Sequence, residues 1–263
     1  MTPIKAIVHG ISGKMGQEVL TALCHAHDMK PIGGVDVDII DGTLDLPDRS
    51  GSIPISSSLD DVIVEAQVVI DFTNGEGATS AIRTAAKHGV NVVVGSTGIP
   101  EKTLNEAKSL AQERNIGILI APNFAMGGVL MMHLVRESAK FFEYADLTEV
   151  HHEAKIDAPS GTAIAIAQAA LDGKGTRFLA PKAEKELIDH TRGGEHEGVV
   201  IHSGRMPGRV AHHEMVFGST GQTLTIRHDS INRESFMPGV LMAVRASQGL
   251  KGLTVGLDKL MGL

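Results

Sequence analysis

The predicted fold depends most on the stretch Ile4-Lys-Ala-Ile-Val-His-Gly-Ile-Ser-Gly-Lys-Met-Gly16, where an apolar run passes directly into a glycine-rich turn. Residues 6–10 predict a buried β-strand, and residues 13–25 predict a helix. Glycines let backbone N–H groups approach a pyrophosphate, and the start of the helix favours its negative charge. The spacing is G-x-x-G-x-x-G rather than the commoner G-x-G-x-x-G. A turn that only permits tight packing of strand and helix therefore stays open as the alternative.

An acidic residue stands where a dinucleotide would need one. Asp36 ends the second predicted strand, 20 residues after Gly16 (36 − 16), and a carboxylate there binds the adenosine ribose hydroxyls. Val37 and Asp38 follow, with no arginine to meet a 2′-phosphate. We therefore expect NADH to be used at least as well as NADPH. The candidate cofactor-binding residues in this region are Gly10, Ile11, Ser12, Gly13, Lys14, Met15 and Asp36.

The first half of the chain alternates short apolar runs with helical patterns. Further strands are predicted at residues 32–36, 68–72, 90–95 and 116–121, and further helices at 78–88 and 101–114. This alternation indicates an α/β fold with a Rossmann-type doubly wound parallel sheet. Residues 41–58, rich in Gly, Ser, Asp and Pro, predict a surface loop. Ligands bind outside the carboxyl ends of such strands, which adds as cofactor-binding candidates Gly95, Ser96, Thr97, Ala121, Pro122, Asn123 and Phe124.

The pattern changes beyond about residue 125. A helix is predicted at 128–142, a strand at 146–151, a helix over 163–171 and a long loop at 172–197. Strands at 199–203, 213–218 and 223–228 precede a final helix at 235–247. We therefore predict a second α+β domain with a mixed or antiparallel sheet at residues 126–232. Residues 1–125 and 233–263 form the predicted dinucleotide-binding domain.

The composition excludes several classes of protein. The 263 residues carry a formal charge of −7, without the concentrated basic face that nucleic acid requires. No run reaches the roughly 18 apolar residues of a membrane span. The single cysteine, Cys24, fits a reducing compartment. We expect a soluble, cytoplasmic protein that binds neither nucleic acid nor membrane.

The most informative segment for chemistry is Glu-Val-His-His-Glu-Ala-Lys-Ile-Asp-Ala-Pro-Ser-Gly-Thr, residues 149–162. Imidazole moves protons near neutral pH, Lys155 adds a positive charge, and N–H groups at a helix start hold anions. Ser160 is interpreted as the N-cap of that helix and Asp157 as a turn residue. Together these features predict proton transfer to a small, negatively charged substrate.

This segment resembles the signature of the dihydrodipicolinate reductase family of bacterial lysine biosynthesis, the diaminopimelate route. The resemblance extends over essentially the whole chain: it includes the first glycine turn, residues 70–73, 94–98 and 122–124. It implies that hydride passes from NADH or NADPH to a cyclic unsaturated imine that carries two carboxylates. It also implies a homotetramer built through the sheet of the second domain, which would then serve both substrate binding and oligomerisation.

The resemblance assigns roles to five residues of the segment. His151 and Lys155 would be catalytic, with His151 as proton donor or acceptor and Lys155 as a second donor and carboxylate partner. The substrate carboxylates would bind His152, the backbone of Gly161 and Thr162, and the Thr162 hydroxyl. His152 holds this role only if the strand ends at that point, because adjacent strand side chains face opposite ways. The roles of Arg205, His212, His213 and Arg233 stay open.

Three other functions remain as alternatives. A metal enzyme would draw ligands from His151, His152, Glu153, His212 and His213, but the contiguous His-His-Glu lacks helical ligand spacing, and we expect no metal. A dehydrogenase that forms a thioester needs a nucleophilic cysteine, but Cys24 lies on the first predicted helix, near the adenine side of the predicted cofactor site. A non-catalytic NAD-sensing protein would leave His151 and Lys155 without a role.

Overall fold

The protein is described here by a computed structural model that covers residues 2–263; residue 1, where the predicted first domain starts, lies outside the described residues. The chain divides into two compact units. Unit 1 comprises the chain up to Met126 together with Arg233–Leu263, and unit 2 comprises Gly127–Asn232. None of the helices in the described part of the chain is long and apolar enough to cross a membrane.

Unit 1 is built on an eight-stranded sheet. Its strands are β1 (Ile4–His9), β2 (Met29–Val35), β3 (Gly42–Asp45), β4 (Ser52–Ser56), β5 (Val68–Asp71), β6 (Asn91–Val94), β7 (Gly117–Ile120) and β13 (Gly252–Val255). Their order across the sheet is β13-β7-β6-β5-β1-β2-β4-β3. Every pairing is parallel except that of edge strand β3 with β4. This topology confirms the predicted Rossmann-type doubly wound sheet.

The helices of unit 1 pack their small apolar residues on this sheet. They are α1 (Lys14–His25), α2 (Gly75–His88), α3 (Glu101–Glu113), α6 (Met237–Ser247) and α7 (Asp258–Met261). Helix α2 buries Ala78, Ala81, Ile82 and Ala85 in one cluster with the valines and isoleucines of the central strands. The Asn74 side chain caps α2 by accepting hydrogen bonds from the Glu76 and Gly77 N–H groups, which satisfies donors that have no partner within the helix.

The prediction of a surface loop at residues 41–58 is wrong, because this segment contains strands β3 and β4. Local composition favours turns there, and β4 carries only two apolar residues, Ile53 and Ile55. The deciding interaction is tertiary: β4 pairs in parallel with β2, which would otherwise present an open sheet edge. Ile53 is buried as a result.

The end of the chain adds two elements that the sequence patterns did not predict, β13 and α7. Strand β13 pairs in parallel with β7 and becomes the other edge of the sheet. Gly252, Leu253 and Thr254 are partly buried and Val255 is exposed. Only two of the four residues have apolar side chains, so β13 lacks the continuous apolar run that identified the central strands.

Unit 2 is a five-stranded mixed sheet with helices packed on one face. Its elements are α4 (Met126–Ala139), β8 (Tyr144–His151), α5 (Gly161–Lys174), β9 (Gly194–His196), β10 (Val199–Arg205), β11 (Ala211–Ser219) and β12 (Gln222–Ser230). The order is β12-β11-β8-β10-β9, and only β8 and β10 pair in parallel. This arrangement confirms the predicted mixed or antiparallel α+β fold. Within the predicted loop 172–197, α5 continues to Lys174 and the short strand β9 occurs.

Alternation along the central strand β8 positions the chemistry of unit 2. Ala145 and Leu147 are buried with residues of α4 and α5 in the core of the unit. Because side chains alternate along a strand, Glu149 and His151 extend the same face beyond this apolar core. Both are buried, although burial of such polar groups is costly unless they are hydrogen-bonded.

Candidate active site

The glycine-rich turn of unit 1 has the close packing that a nucleotide cradle requires. Gly10 has φ +87°, which favours glycine. A Cβ on Gly16 would lie 2.0 Å from the Gly10 carbonyl oxygen, so α1 approaches the turn closely only because that position is glycine. Gly13 precedes α1 as its N-cap residue without a side-chain cap. The first N–H groups of α1 are thus left for an anion.

Asp36 lies beside this turn. Its Oδ2 accepts a hydrogen bond of 3.0 Å from the Ser12 N–H, so the carboxylate that the sequence places at the end of β2 is fixed against the turn. Lys14 is exposed and Met15 is half-buried at the start of α1. Ile11 is buried and packs on Gly34, which makes its side chain a packing residue and leaves only its backbone for a ligand.

A cleft of about 740 Å³ opens above these residues within unit 1. Its lining contains no lysine or arginine among the described residues, and it includes four carboxyl side chains, from Asp36, Asp38, Asp60 and Glu76. The lining also includes His9, with Gly10 and Gly13 at the turn. An acidic cleft of this kind would repel an additional phosphate on the ligand.

Below the cleft, a fully buried carboxylate joins three strands. Asp71, at the end of β5, accepts hydrogen bonds from His9 Nδ1 (2.6 Å), the Thr73 hydroxyl (2.7 Å) and the Ser96 hydroxyl (2.5 Å). Its exposure is 0%. Ser96, predicted as a cofactor ligand, therefore directs its side chain to Asp71 and not to open space.

The other cofactor-binding candidates that follow a strand are either packed in the interior or exposed. A Cβ on Gly95 would lie 2.2 Å from the Phe72 ring, and the centroids of Phe72 and Phe124 are 5.7 Å apart. Phe124 and Ala121 are buried, whereas Thr97 and Pro122 are exposed. The Asn123 side chain accepts from the Ala125 N–H. Of these residues, Thr97 and Pro122 leave their side chains most open to a ligand.

Unit 2 contains a second buried carboxylate, Glu149, which is also 0% exposed. One of its oxygens, Oε2, is bonded to His151 Nδ1, and the other accepts a 2.8 Å hydrogen bond from the Arg205 guanidinium. The parallel pairing of β8 with β10 explains this contact, since it sets Ser203 beside Glu149 and Arg205 beside His151. Arg205 is further held by the backbone oxygens of Asp157 and Gly204.

His213 completes this cluster from β11. It lies opposite Glu149 in the register of β11 and β8, and its ring centroid is 5.3 Å from that of His151, edge to face. Its Nε2 is 3.4 Å from the Ser160 hydroxyl. The open question about His213 is thus answered in part: it is buried beside His151. His212, by contrast, faces the other side of the sheet and binds Asp229.

The pKa values of Glu149, His151 and His213 indicate one anion and two neutral rings in this cluster. Burial raises the pKa of Glu149, but hydrogen bonds from Arg205, Ser203 and His151 outweigh burial, so the pKa is lowered. Burial lowers the pKa of His151 despite the opposing effect of Glu149. Burial, with a contribution from His151, lowers the pKa of His213 to about 4. At pH 7 Glu149 is ionised, and both imidazoles are neutral.

The structure ends strand β8 at His151, the residue where the sequence predicted the strand to end. The next residue, His152, is exposed and outside the strand. The alternation that would send the two side chains to opposite faces therefore no longer applies to His152. Lys155 donates a 2.7 Å hydrogen bond to Asp157, and its charge contributes to the lowered pKa of His151.

Helix α5 begins beside the cluster with free donors. Ser160 caps it by accepting a 3.1 Å hydrogen bond from the Ala163 N–H, which confirms the N-cap prediction. The N–H groups of Gly161 and Thr162, at the first two helical positions, have no partner in the described part of the chain. Gly161 is exposed and Thr162 half-exposed. This helix start can therefore accept a carboxylate.

Sequence reasoning missed Glu149, His9 and Asp71 as functional candidates. The signal for Glu149 was available, because it precedes His151 by two positions on a strand and such side chains share a face. The pairing of His9 with Asp71 depends on the neighbouring register of β1 and β5, which the sequence does not give. Arg233, also left open, is exposed in a short 3₁₀ helix, Arg233–Phe236.

The cluster offers metal-ligating atoms, but not the set considered from the sequence. Glu149, His151 and His213 each supply one ligand atom, all within 4.8 Å of one another, whereas His152 and Glu153 are exposed and His212 faces away. A cation there would have to displace the hydrogen between Glu149 and His151, and the adjacent Arg205 guanidinium opposes its charge. The expectation that the protein needs no metal stays a prediction.

Comparisons with known proteins cover both units. Residues 4–124 match the sequence model of the dihydrodipicolinate reductase N-terminus, and residues 127–261 match that of the C-terminus. Two strains of Dehalococcoides mccartyi have 4-hydroxy-tetrahydrodipicolinate reductases that are 48% and 46% identical over 100% of both chains.

A solved structure supports the same relationship. Dipicolinate-bound dihydrodipicolinate reductase from Paenisporosarcina sp. TG-14 superimposes with a TM-score of 0.87 at 34% identity, over 98% of this chain and 99% of that chain. Amine dehydrogenase from Mycobacterium smegmatis, with a TM-score of 0.66 at 15% identity, shares the fold alone. Matches to both halves and high identity over the full length lead to one assignment: the chain belongs to the dihydrodipicolinate reductase family.

Proposed function

We propose that this protein reduces 4-hydroxy-tetrahydrodipicolinate, or the dihydrodipicolinate formed from it by loss of water, to tetrahydrodipicolinate with NADH or NADPH. This is an oxidoreductase step of the diaminopimelate route to lysine. Unit 1 holds the nucleotide and unit 2 holds the substrate. The observation that carries the proposal is the buried Glu149–His151 pair, with Arg205 on the other carboxylate oxygen.

His151 acts on the proton side of the reduction. Its Nδ1 carries the hydrogen that is donated to Glu149, because an ionised carboxylate can only accept, and Nε2 is left for exchange with substrate. Burial lowers the pKa of His151, which keeps the ring neutral at pH 7. A dianionic substrate favours the imidazolium, so we expect His151 to take up a proton as substrate binds and to pass it on from Nε2. Glu149 fixes the tautomer and stabilises the cation.

The two carboxylates of the substrate are matched by separate groups. One carboxylate-binding site lies at the start of α5 and consists of the unpaired N–H groups of Gly161 and Thr162 and the Thr162 hydroxyl. The other consists of Lys155 and the exposed His152. Lys155 forms an ion pair with Asp157, so a bound carboxylate would compete with Asp157 for the Lys155 ammonium group, whose charge acts on His151.

The cofactor residues would be those of the glycine turn, with Asp36 on the adenosine ribose. Bound NADH or NADPH supplies the hydride. Gly10, Gly13 and Gly16 fit a pyrophosphate because the close approach of α1 leaves no room for a Cβ at Gly16. The exposed side chains of Thr97 and Pro122 are proposed to contact the nicotinamide half, with Gly95 and Asn123 contributing backbone.

We propose that NADH serves at least as well as NADPH. The cleft beside Asp36 is lined by carboxylates and by no lysine or arginine in the described residues, which is unfavourable for a 2′-phosphate. The test is kcat/KM for both cofactors at equal ionic strength. A value for NADPH more than about tenfold higher, ~1.4 kcal/mol, would contradict the proposal.

We further propose a cytoplasmic homotetramer. Helices α4 and α5 cover one face of the unit 2 sheet, and the opposite face, which includes Asp146 and His202, is left for other subunits. Light scattering after gel filtration is expected to give about four times the 27.8 kDa chain mass. A monomer at micromolar concentration would contradict the assembly and leave the reductase proposal to its own test.

Activity is tested by mixing purified protein with NADH and enzymatically generated dihydrodipicolinate and following the nicotinamide absorbance. We expect NADH oxidation that depends on the substrate. Lys155→Ala should lower kcat and raise KM for the substrate, and its effect should not add to that of His151→Gln if the two residues act together. Tight NADH binding without oxidation would instead favour a sensing protein.

A further inference from the structure

His9 is buried at the boundary between the Asp71 network and the unit 1 cleft. The ring is 8% exposed, and His9 is one of the residues that line the cleft. Its Nδ1 faces Asp71 at 2.6 Å. The other ring nitrogen, Nε2, makes no hydrogen bond within the described part of the chain and is not sealed from solvent.

The network fixes which ring nitrogen is left for a ligand. Ser96 and Thr73 donate hydroxyl hydrogens to Asp71, and the Nδ1 of His9 is directed at the same carboxylate. Nε2 is therefore the nitrogen that faces the cleft. A hydroxyl, which can both donate and accept, is a suitable hydrogen-bond partner for it.

The lining of the cleft indicates which part of a dinucleotide would contact Nε2. The cleft runs from His9 to Asp36 and to the residues after β4, Ser57 to Leu59, on the β2 side of the sheet. A ribose bound by Asp36 has two neighbouring hydroxyls. Asp36 accepts a hydrogen bond from one of them, and His9 Nε2 is a partner for the other.

Resting on the cofactor assignment of the proposed function, we infer that His9 is a further nucleotide-contacting residue, whose Nε2 forms a hydrogen bond with a hydroxyl of the adenosine ribose. Asp71 is the positioning residue that orients the ring through Nδ1. It also ties the adenosine site, through one carboxylate, to the Ser96 segment.

The test compares ADP with 2′,3′-dideoxy-ADP as competitors that displace NADH from the purified protein. The displacement is followed by NADH fluorescence and gives a Kd for each competitor. The variant His9→Phe keeps a ring of similar size and removes both nitrogens, and His27→Gln, an exposed histidine of unit 1, is the control. Hydroxyl discrimination is the ratio of the two Kd values. We expect it to fall about fivefold in His9→Phe, the value of one hydrogen bond, and to stay unchanged in His27→Gln.

The two probes separate a contact from a purely structural role. If His9 only supported the turn, His9→Phe would weaken ADP and dideoxy-ADP by the same factor, the ratio would not move, and the inference would be overturned. His9→Gln, which retains a donor for Asp71 and an acceptor for the ribose, should recover part of the lost discrimination. Wild-type protein that fails to bind NADH would refute the proposed function together with this inference, whereas an unchanged ratio with normal NADH binding refutes the inference alone.

Discussion

The two buried carboxylates of the described chain, Asp71 in unit 1 and Glu149 in unit 2, have the same basic arrangement and different surroundings. Each lies at the carboxyl end of a strand, is 0% exposed and is bonded to the Nδ1 of a histidine. Asp71 is otherwise held by the hydroxyls of Ser96 and Thr73. Glu149 is held by the Arg205 guanidinium and lies beside a second imidazole, His213.

A carboxylate–histidine pair moves protons only where its surroundings let the charge of the imidazole change. Around Glu149 a guanidinium compensates the buried charge, and the negative charge of a bound substrate can shift the protonation of His151. Around Asp71 two neutral hydroxyls hold the carboxylate, which orients the His9 ring through Nδ1. We propose that such a pair serves proton transfer in unit 2 and ligand recognition in unit 1. The following experiments test that distinction, from the largest expected effect to the smallest.

The largest effect is expected from Glu149→Gln. This variant removes the charge that holds and stabilises the His151 imidazolium, so kcat should fall by about 10²- to 10³-fold, while the NADH Kd stays within twofold. Steady-state kinetics and NADH fluorescence measure the two quantities. Asp146→Asn is the matched control, because Asp146 is on the same strand but binds the half-buried His202 on the other face. A kcat within threefold of wild type would remove Glu149 from the mechanism.

The second effect is on stability and concerns His213. Its pKa is about 4 in the folded protein and about 6.5 in the unfolded chain, so the stability present above pH 6.5 is lost as the pH falls from 6.5 toward 4. At pH 5 the loss is about 2 kcal/mol. His213→Gln cannot be protonated in this range. Its unfolding free energy in urea should therefore decrease less between pH 7 and pH 5 than that of wild type, by about this amount.

The control for this stability measurement is His27→Gln, which replaces an exposed histidine of unit 1. It should show the same decrease between pH 7 and pH 5 as the wild-type protein. If His213→Gln also lost as much stability as wild type over this interval, the burial of a neutral His213 would not be the origin of the pH dependence.

A smaller effect is expected on cofactor choice. Asp36→Ser removes the carboxylate nearest to the glycine turn and retains a hydroxyl, so the ratio of kcat/KM for NADPH over NADH should rise about tenfold, or ~1.4 kcal/mol. Asp45→Ser, an exposed carboxylate of β3 outside the cleft lining, should leave the ratio unchanged. Equal ratios in both variants would show that Asp36 does not select the cofactor.

The smallest effect concerns removal of metal ions, for which we expect no change in kcat. Treatment with a strong chelator followed by gel filtration should leave kcat unchanged, because Glu149 is bonded to His151 and to the Arg205 guanidinium, whose positive charge opposes a metal ion at this cluster. Loss of activity that Zn²⁺ restores would contradict this prediction and would assign the cluster to metal catalysis.

Much of the fold was predictable because its signals are local. The buried strands β1, β5, β6 and β7 are continuous apolar runs, and the turn after β1 has its own glycine pattern. Strands β3, β4 and β13 were not predicted or were taken for loop, because they have few apolar residues and owe their structure to pairing with neighbours that the chain reaches only in three dimensions.

The candidate site was predictable to the extent that it is contiguous. His151, Lys155, Gly161 and Thr162 stand within 12 residues (162 − 151 + 1), and the structure places the strand end and the helix start as the segment indicates. Arg205 and His213 come from β10 and β11, and their approach to Glu149 depends on sheet register. No spacing in the sequence encodes that register, so their roles could not be read from it.

The central claim is that the proton is handled by the Glu149–His151 pair of unit 2, separately from nucleotide binding in unit 1. The most direct measurement compares wild type and His151→Gln for two quantities: kcat for substrate-dependent NADH oxidation, and the NADH Kd from fluorescence. We predict a kcat at least about 100-fold lower with a Kd within twofold of wild type. A His151→Gln protein that turns over at near wild-type kcat would contradict the account.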